Sequence, residues 1–337
     1  MCTYKIRYMK KYIMILCVML AFSQFTLAQV TFQFEDGIYN QTLKAQVERN
    51  VSNLLSEINL AEQRGVQVLN LASVKMDENA KNGLRSLWKN IHFRCEWDKN
   101  VQSCVQDFTG YEIRQIPVEM KPLDNTYKGE LHKELTISFN KQGVITGVRT
   151  AMDKLSYQAL LKDGKANLDM RMRREILKFV EDFRSYYVEK NVTALDEIFS
   201  DDALIITGRV IQTMGKSQVD GVSQQVKEKV VFSKQSKPQY ISNLKTLFKS
   251  TEYINVDFSE IELLRHGSNP NIYGVRLRQK WNSQRYGGSQ YSDDGCVFLL
   301  WDFSNQTEPK VLVRTWTPKR PDQKGDDFSP EDFFIPR

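Results

Sequence analysis

Histidine is scarce in this sequence. The 337 residues include three histidines, far apart in the chain: His92, His132 and His266. Histidine-based metal sites need two or more ligands at short, defined spacing, which these three do not have. The H-E-x-x-H, nucleophile-elbow and P-loop motifs are missing as well. The sequence therefore predicts no metal site and no cofactor.

Long hydrophobic runs are also missing, except near the N-terminus. There the apolar run Tyr12–Phe22 precedes Thr26–Ala28, which places small residues at −3 and −1 of a cut before Gln29. The run is too short for a membrane-spanning helix, which needs about 20 residues. Cys17 lies inside it, where a lipidation signal is not expected. We predict that residues 1–28 are a secretory signal peptide and that the rest of the chain is exported, to the periplasm or outside the cell.

Acidic and basic residues are nearly balanced once residues 1–28 are set aside. The whole chain has a net charge of +6, and four of its positive residues lie in this leader, which contains no acid. The remaining chain is therefore near +2, with mixed signs and no basic stripe, so nothing in its charge favours nucleic-acid binding. Both Met1 and Met9 are acceptable starts. The positive residues of the leader are Lys5, Arg7, Lys10 and Lys11.

Cysteine is scarce too. Of five cysteines, three follow the predicted signal peptide, and an exported protein can form disulfides. Residues Arg94–Cys104 are typical of two strands around a Lys99-Asn100 turn, a register that places Cys95 opposite Cys104 within disulfide reach. We predict this bond, with two unpaired thiols as the alternative. Cys296 begins an apolar run and is predicted to be a buried thiol rather than a nucleophile.

The first half of the chain predicts helices followed by strands. Apolar residues recur at three- and four-residue steps over 38–64, and Gly65 ends this helical pattern. A second helix is predicted over Asp77–Lys89, with Asp77 as its N-cap. The period then changes to two, which indicates strands. The predicted strands are Ile91–Trp97, Val101–Phe108, Tyr111–Met120, Leu135–Phe139 and Val144–Thr150.

The second half repeats this order. A strand at Ala203–Gly208 is followed by a polar stretch over 212–236, and the Gly- and Ser-rich segment Asn282–Asp294 is predicted to be a long turn. Helices before antiparallel strands are the α+β pattern. The predicted helices are Asp169–Glu189, Val192–Phe199 and Pro238–Phe248. The later strands are Ile254–Leu264, Ile272–Trp281, Gly295–Phe303 and Lys310–Trp316.

This repetition predicts two tandem α+β domains, each with helices packed on a curved antiparallel sheet. The tail is predicted to be extended, with an apolar end, Phe328–Pro336, that can dock; a frayed terminus is the commoner outcome. The predicted boundaries are a signal peptide at 1–28, an N-terminal domain at 29–152, a linker at 153–168, a C-terminal domain at 169–318 and the tail at 319–337.

The segment Glu175–Thr207 resembles the opening of NTF2-like proteins, the nuclear transport factor 2 and SnoaL-like superfamily. It has a long helix, a short helix with a Phe before Ser200-Asp201-Asp202, and a first strand. The resemblance covers about residues 168–318. The first half has a similar order of secondary-structure elements, which indicates either a diverged second copy or a cystatin-like relative. The resemblance implies a cone with a pocket between sheet and helices. It implies no particular reaction, because members include isomerases, cyclases, dehydratases, transport adaptors and binding modules.

Enzymes of this superfamily place an acid–base residue and an oxyanion donor at the pocket, as proton abstraction next to a carbonyl requires. Each candidate can instead have a purely structural role. The aspartates can be helix caps or turn residues, Tyr187 can be a core residue, and Arg314 can lie on either face of its strand. No residue is singled out as catalytic. The candidates are Tyr186, Tyr187, Asp201, Asp202, Asp257, Asp294 and Arg314.

Tryptophan and tyrosine cluster near the ends of the late strands. Core packing is their ordinary role, and a stacking platform for a sugar, peptide or partner loop is the alternative. The residues predicted to bind a ligand or partner are Trp281, Tyr286, Trp301, Arg314 and Trp316.

These observations predict an exported, non-catalytic binding or assembly module of a bacterial envelope, which engages a protein, peptide or glycan and can form a homodimer through its sheet. The alternative is a small enzyme of the SnoaL or ketosteroid-isomerase kind, acting in the C-terminal pocket; a structural subunit is a third hypothesis. A desolvated carboxylate or histidine opposite a tyrosine hydroxyl would favour the enzyme. A filled or shallow cone with an exposed apolar patch would favour binding.

Overall fold

The computed structural model describes residues 29–96, 98–123, 130–152, 154–163, 168–214, 226–318 and 328–333. The predicted signal peptide lies outside these residues. Contacts divide the chain into two compact units. The first contains residues up to Gln106 together with Gly110–Val148, and the second contains Asp107–Thr109 together with the residues from Arg149 onward. The predicted domain boundaries stay a prediction.

The first unit contains two helices and a sheet. The sheet order is β1-β3-β4-β5-β6, and β2 also pairs with β4. The β1–β3 pair is parallel, whereas β2, β3 and β5 each pair with β4 in antiparallel fashion. The elements are β1 Thr31–Asp36, α1 Gln41–Arg64, α2 Glu78–Asn90, β2 His92–Cys95, β3 Asp98–Gln106, β4 Gly110–Lys121, β5 His132–Asn140 and β6 Ile145–Thr150.

The two predicted helices of this unit are confirmed, together with the residues that end them. The side chain of Asn40 accepts a hydrogen bond from the Leu43 amide at the start of α1, and Gly65 ends the helix with a φ of 61°. Such a left-handed residue is a common helix terminator, and glycine adopts it without strain. The Asp77 carboxylate accepts from the Ala80 amide at 2.7 Å and caps α2, as predicted.

The predicted Cys95–Cys104 disulfide is wrong. Strands β2 and β3 do not form a hairpin; both pair with β4, where Cys95 lies opposite Val118 and Cys104 opposite Ile113. Residues that are five positions apart on β4 are separated by roughly 16 Å at 3.3 Å per residue, so the two sulfur atoms cannot meet. Strand β1 was not predicted from the sequence, and its pairing with β3 takes the place of the predicted hairpin. The three cysteines that the structure describes carry thiols; Cys95 and Cys104 are buried, whereas Cys296, predicted to be buried, is only half-buried.

The second unit contains the remaining elements and a six-stranded sheet in the order β8-β7-β12-β11-β10-β9. Every pair is antiparallel except β12–β7. The elements are α3 Lys154–Lys162, α4 Met170–Val188, α5 Val192–Ile198, β7 Phe199–Met214, β8 Val226–Gln235, α6 Lys237–Ser250, β9 Thr251–Arg265, β10 Ile272–Arg285, β11 Gln290–Asp302 and β12 Lys310–Thr317; a short 3-10 turn follows at Pro330–Asp332.

Aromatic packing joins α4 to one face of this sheet. Phe183 of α4 packs edge-on against Trp301 at 6.2 Å and Phe199 at 5.9 Å between ring centroids. Edge-to-face pairs at this separation are the favoured aromatic geometry. Asp169 caps α4 by accepting from the Met172 amide at 2.7 Å, which confirms the predicted start of the helix. The fold class is therefore α+β, as predicted.

Three segments of the second unit differ from the prediction. The predicted linker contains α3, and the polar stretch 212–236 contains the end of β7 and the whole of β8. The predicted long turn Asn282–Asp294 is mostly strand, because β10 and β11 pair as far as Gln284–Gln290. Gly287 and Gly288 have φ values of 98° and 88°, which allow a tight reversal without strain. The polar side chains on both sides of the turn therefore belong to the sheet.

Candidate functional site

The C-terminal sheet has two unlike faces. The inner face carries Val297, Leu299 and Trp301 of β11 into the main core with α4, and the outer face carries Phe298 and Leu300 into a small separate cluster. Successive residues of a strand point to opposite faces. Because Val297, Leu299 and Trp301 are inner, residues 291, 293 and 295 of the same strand share that face.

Arg314 lies on the inner face and is almost fully buried, at 6% exposure. It is the cross-strand partner of Leu299, and its guanidinium carbon lies 5.7 Å from the centroid of the Tyr240 ring. Its Nε and Nη1 atoms are buried and have no hydrogen-bond partner among the described residues. A buried guanidinium with unused donors is costly unless an acceptor is supplied. The sequence pattern alone did not determine which face of the strand carries Arg314.

Two tyrosine hydroxyls lie beside Arg314. The oxygen atoms of Tyr187 and Tyr240 are 2.6 Å apart, a distance typical of a short hydrogen bond in which either hydroxyl can donate. Burial, together with the adjacent Tyr240, raises the pKa of Tyr187 well above its usual value, although Arg314 acts in the opposite direction. The Tyr187 hydroxyl therefore stays protonated near neutral pH. One donates to the other, so one hydrogen remains for a further acceptor.

Asp293 is the acidic group of the inner face. It pairs with Trp281 across β10 and β11, and its Oδ2 accepts from the Tyr291 hydroxyl at 3.3 Å. Its Oδ1 is buried and makes no hydrogen bond of good geometry with the described residues. Burial raises the pKa of this carboxyl to about 6, against the opposing effects of hydrogen bonding from Tyr291 and Trp316 and of the Arg314 charge. A carboxyl with this pKa exchanges a proton readily near neutral pH.

Gly295 allows the Trp316 indole to lie across β11 toward Asp293. A Cβ atom at Gly295 would be 2.5 Å from both Cε2 and Nε1 of Trp316, so a larger residue there would displace the ring. The Trp316 indole acts on the Asp293 carboxyl as a hydrogen-bond donor that lowers its pKa, although its Nε1 makes no bond of good geometry. The buried Oε1 of Gln279, the cross-strand partner of Gly295, has no hydrogen-bond partner among the described residues. Trp316 and Gln279 therefore add a donor and an acceptor to the same face.

Tyr187, Tyr240, Asp293, Arg314 and Trp316 form what we call the inner-face cluster. Buried polar atoms without well-formed hydrogen bonds are uncommon in folded proteins, and each has a physical cause such as a bound water or ion or a catalytic role. Donors from Arg314 and Trp316 and the carboxylate of Asp293 occur together here. The cluster combines a fixed positive charge with a carboxyl that can change its protonation state.

Of the catalytic candidates named from the sequence, some lie on the two faces of the C-terminal sheet and others lie on the exposed surface. Asp294 is on the outer face, where Arg278 binds it through two hydrogen bonds of 2.7 and 2.8 Å. Asp201 is exposed and pairs with Lys237 at 2.8 Å, and Asp202 accepts from Ser200. Asp257 and Tyr186 are half-buried, and burial raises the pKa of Tyr186 well above its usual value.

The predicted binding residues have unequal exposure. Trp281, Trp301 and Trp316 are buried at 8%, 0% and 3%, whereas Tyr286 is 57% exposed in the β10–β11 turn. Of the predicted set, the structure places Arg314 and Trp316 in the inner-face cluster and Trp281 opposite Asp293. Asp293 and Tyr240 were missed. Counting back in twos from Trp301 would have found Asp293, had Asn282–Asp294 been predicted as strand.

The first unit has a cavity of about 400 Å³ beside Cys95. Its lining includes charged residues of both signs, among them Arg94 and Glu119, together with His132. Burial raises the pKa of the Cys95 thiol to about 12, so a thiolate nucleophile is disfavoured at neutral pH. This cavity therefore offers less defined chemistry than the inner-face cluster.

Within the described residues there is no group of three or more His, Cys, Asp or Glu side chains arranged to hold a metal ion. Within the same residues, no helix combines the length and the apolar character needed to cross a membrane.

Comparison with known proteins gives solved structures only. No protein-family model matches the chain, and no curated protein matches it. A putative aromatic ring hydroxylase from Novosphingobium aromaticivorans is 11% identical, with 44% of this chain and 89% of that chain covered and a TM-score of 0.32. An NTF2-like superfamily protein from Salmonella enterica is 11% identical, with 46% and 96% covered and a TM-score of 0.32.

A putative scytalone dehydratase from Novosphingobium aromaticivorans is 12% identical, with 43% of this chain and 82% of that chain covered and a TM-score of 0.31. At TM-scores this low, the similarities carry no argument about the activity of this chain. The residues themselves define an α+β protein with a buried polar cluster on one face of its second sheet. The NTF2-like resemblance stays a prediction.

Proposed function

We propose that the C-terminal unit is a small NTF2-like enzyme, and that the inner-face cluster moves a proton on an anionic or carbonyl-containing ligand. The observation that carries this proposal is the grouping of the Asp293 carboxyl, with a pKa of about 6, the buried Arg314 guanidinium and the buried Trp316 indole on one face of the sheet. Nε and Nη1 of Arg314 make no hydrogen bond with the described residues, so a ligand with acceptor groups can bind them. A desolvated carboxylate near a tyrosine hydroxyl is the feature that was expected to favour the enzyme over the binding module.

The roles follow from the chemistry of each group. Asp293, with a pKa of about 6, is the proposed general base, because it is mostly ionised at neutral pH and readily protonated. Removing a proton next to a carbonyl leaves negative charge on the carbonyl oxygen. Arg314 and the remaining hydroxyl hydrogen of the Tyr187–Tyr240 pair are the proposed donors to that oxygen. The reaction class is isomerisation, dehydration or cyclisation through an enolate.

The test follows hydrogen exchange rather than a guessed product. The full chain is incubated in D₂O with a panel of small ketones and 2-oxo acids, and loss of the carbon-bound hydrogen next to the carbonyl is followed by proton NMR. We expect exchange to rise with pH through about 6, since the base form of Asp293 is needed. Asp293→Asn should reduce the rate by about 100-fold or more, the usual contribution of a general base.

The neighbouring aspartate provides the matched control. Asp294→Asn makes the same chemical change one residue away, on the outer face, and should leave the exchange rate within about twofold of the unmodified chain. Equal rates for the Asp293→Asn variant and the unmodified chain would rule out Asp293 as the base. A rate that does not depend on pH between 5 and 8 would have the same consequence.

A second proposed function is the exported binding or assembly module, engaging a protein, peptide or glycan of the envelope. The exposed rings of Tyr286 and Tyr291, at 57% and 50% exposure, favour it, because exposed aromatic residues commonly anchor partners. The test is a pull-down from envelope extracts with the unmodified chain and with Tyr286→Ser/Tyr291→Ser. A partner retained equally by both would exclude this pair as the contact.

A further inference from the structure

The outer face of the C-terminal sheet has an apolar cluster of its own. Ile272, Phe298, Leu300 and Val313 form it, with exposures of 1%, 3%, 0% and 4%. These side chains point away from the main core, so something else must remove them from water. The segment Phe328–Phe333 from the end of the chain contributes to this cover, and we call it the strap.

Two phenylalanine rings of the strap pack on one ring of the sheet. Phe333 stacks on Phe298 at 5.4 Å between centroids and 13° between planes. Phe328 lies 6.0 Å from Phe298 and 5.5 Å from Phe333. Three mutually packed rings bury much more apolar area than scattered contacts. Well-oriented aromatic pairs also contribute a modest stabilisation beyond the area that they bury.

Polar anchors fix the strap on both sides of the rings. Arg276 donates from Nε and Nη2 to the carbonyl oxygen of Phe328 at 2.8 and 2.6 Å, and Glu262 binds its Nη1 at 3.2 Å. At the other end, the Gly267 amide donates to Oε1 of Glu331 at 2.7 Å. Charge-assisted hydrogen bonds of this kind are stronger and more directional than neutral ones.

A glycine provides the place for the strap proline. A Cβ atom at Gly274 would lie 3.0 Å from Cγ of Pro330 and 3.0 Å from Cε2 of Phe298, so the absence of a side chain lets Pro330 approach the sheet. Within the strap, the Ser329 amide donates to Asp332 Oδ2 at 2.6 Å. This internal bond preorganises the turn that presents both phenylalanines to the sheet, which lowers the entropy cost of binding.

We propose that the outer face is a recognition groove for a peptide of the type Phe-Ser-Pro-Glu-Asp-Phe, and that the strap is a tethered copy of its ligand. The groove selects the two rings, the proline and the acid through separate contacts. A six-residue peptide binds weakly by itself, but a tether raises its effective concentration to about the millimolar range. The same peptide sequence supplied from another chain therefore competes for the groove once the strap is released. This inference is independent of the inner-face cluster.

The test uses the full chain with its strap released by Phe328→Ala/Phe333→Ala. A fluorophore-labelled Phe-Ser-Pro-Glu-Asp-Phe peptide is titrated, and its fluorescence anisotropy is recorded. We expect saturable binding to the double variant and at least about tenfold weaker binding to the unmodified chain, whose groove is filled. Adding Gly274→Val to the double variant should abolish binding, since valine occupies the place of Pro330. Equal binding to both chains, or none to a double variant with an unchanged circular dichroism spectrum and melting temperature, would overturn the proposal.

Hydrogen–deuterium exchange tests the anchors even if the double variant does not fold. Arg276→Ala removes the bonds to the Phe328 carbonyl and should increase exchange in peptides that cover the strap. Arg278→Ala is the matched control, because Arg278 lies on the same face of the same strand but binds Asp294 and Glu260. Equal exchange of the strap in the two variants would show that Arg276 does not hold it, and would overturn the groove as described.

Discussion

Asp293 and Asp294 are adjacent in sequence and have opposite electrostatic environments. Burial raises the pKa of Asp293 to about 6, whereas two hydrogen bonds from Arg278 lower the pKa of Asp294. The difference comes from strand alternation alone, since neighbouring side chains face opposite sides of a sheet. Asp294 was the predicted candidate because both residues were predicted to lie in a loop. Which of two adjacent carboxyls is buried can be predicted only after the strand is recognised.

The charge of Arg314 provides a test of this assignment. Arg314 lowers the pKa of Asp293, so Arg314→Gln should raise it above 6, which a ¹³C NMR titration of the Asp293 carboxyl would detect. The control is Arg278→Gln, which should raise the pKa of Asp294 and leave that of Asp293 almost unchanged. An Asp293 that titrates near 4 in the unmodified chain would contradict the burial described for the inner-face cluster.

Glu189, at the C-terminal end of α4, gives a prediction about stability and pH. Burial, with Asp182 adding and Arg149 opposing, raises the pKa of its carboxyl to about 8. A group with a higher pKa in the folded state favours folding when protonated. Its contribution is complete below about pH 4.5 and is lost as pH rises through 8. Glu189→Gln, which mimics the protonated acid, should therefore increase the free energy of unfolding at pH 8.5 by about 1 kcal/mol.

Urea unfolding of both chains at pH 4.5 and pH 8.5 measures this effect. Glu308→Gln, in an exposed turn, is the control and should change the free energy of unfolding by less than about 0.5 kcal/mol. A Glu189→Gln variant that is less stable than the unmodified chain at pH 8.5 would show that the carboxylate itself stabilises the fold.

At the scale of the element, helices were easier to predict than strands. The 3.6-residue periodicity predicted α2 and α4 nearly to the residue, with Asp77 as the predicted cap of α2. The missed strands are the polar ones. Strand β8 and the paired ends of β10 and β11 are rich in Lys, Ser, Gln and Asn, so no apolar alternation indicates them. Such strands are held by their neighbours in the sheet, which a local pattern does not report.

Helix α6 carries Tyr240 and begins with a complete capping box. The Gln239 amide donates to Oγ of Ser236 at 3.5 Å, and the Ser236 amide donates to Oε1 of Gln239 at 3.0 Å. Ser236→Ala should lower the free energy of unfolding by about 1 kcal/mol. Ser242→Ala, at an exposed position inside the same helix, should be neutral or slightly stabilising because alanine is the better helix former. Thermal unfolding of the two variants gives the comparison, and equal melting temperatures would argue against the cap.

At the scale of the whole molecule, the α+β class and the order of most elements could be predicted from the sequence, but strand pairing could not. The disulfide prediction failed for this reason. It assumed that two strands adjacent in sequence form a hairpin. Instead, β3 pairs with β1, and the paired residues, such as Thr31 and Asp98, are about 67 positions apart in the chain. Adjacent strands pair often but not always. An inference that depends on local pairing is therefore weaker than one that depends on local periodicity.

Counting thiols tests the signal peptide and the strand pairing together. The chain has five cysteines; Cys2 and Cys17 lie in the predicted leader, and the structure gives thiols at Cys95, Cys104 and Cys296. We predict that the protein recovered from the exported fraction begins at Gln29 and reacts with three equivalents of a thiol reagent after denaturation without reductant. Five equivalents, or four if translation starts at Met9, would mean that the leader is retained. One equivalent would mean that Cys95 and Cys104 are joined after all, which the pairing of both β2 and β3 with β4 does not allow. In the native protein Cys95 should react slowly, because burial raises the pKa of its thiol to about 12 and leaves little thiolate.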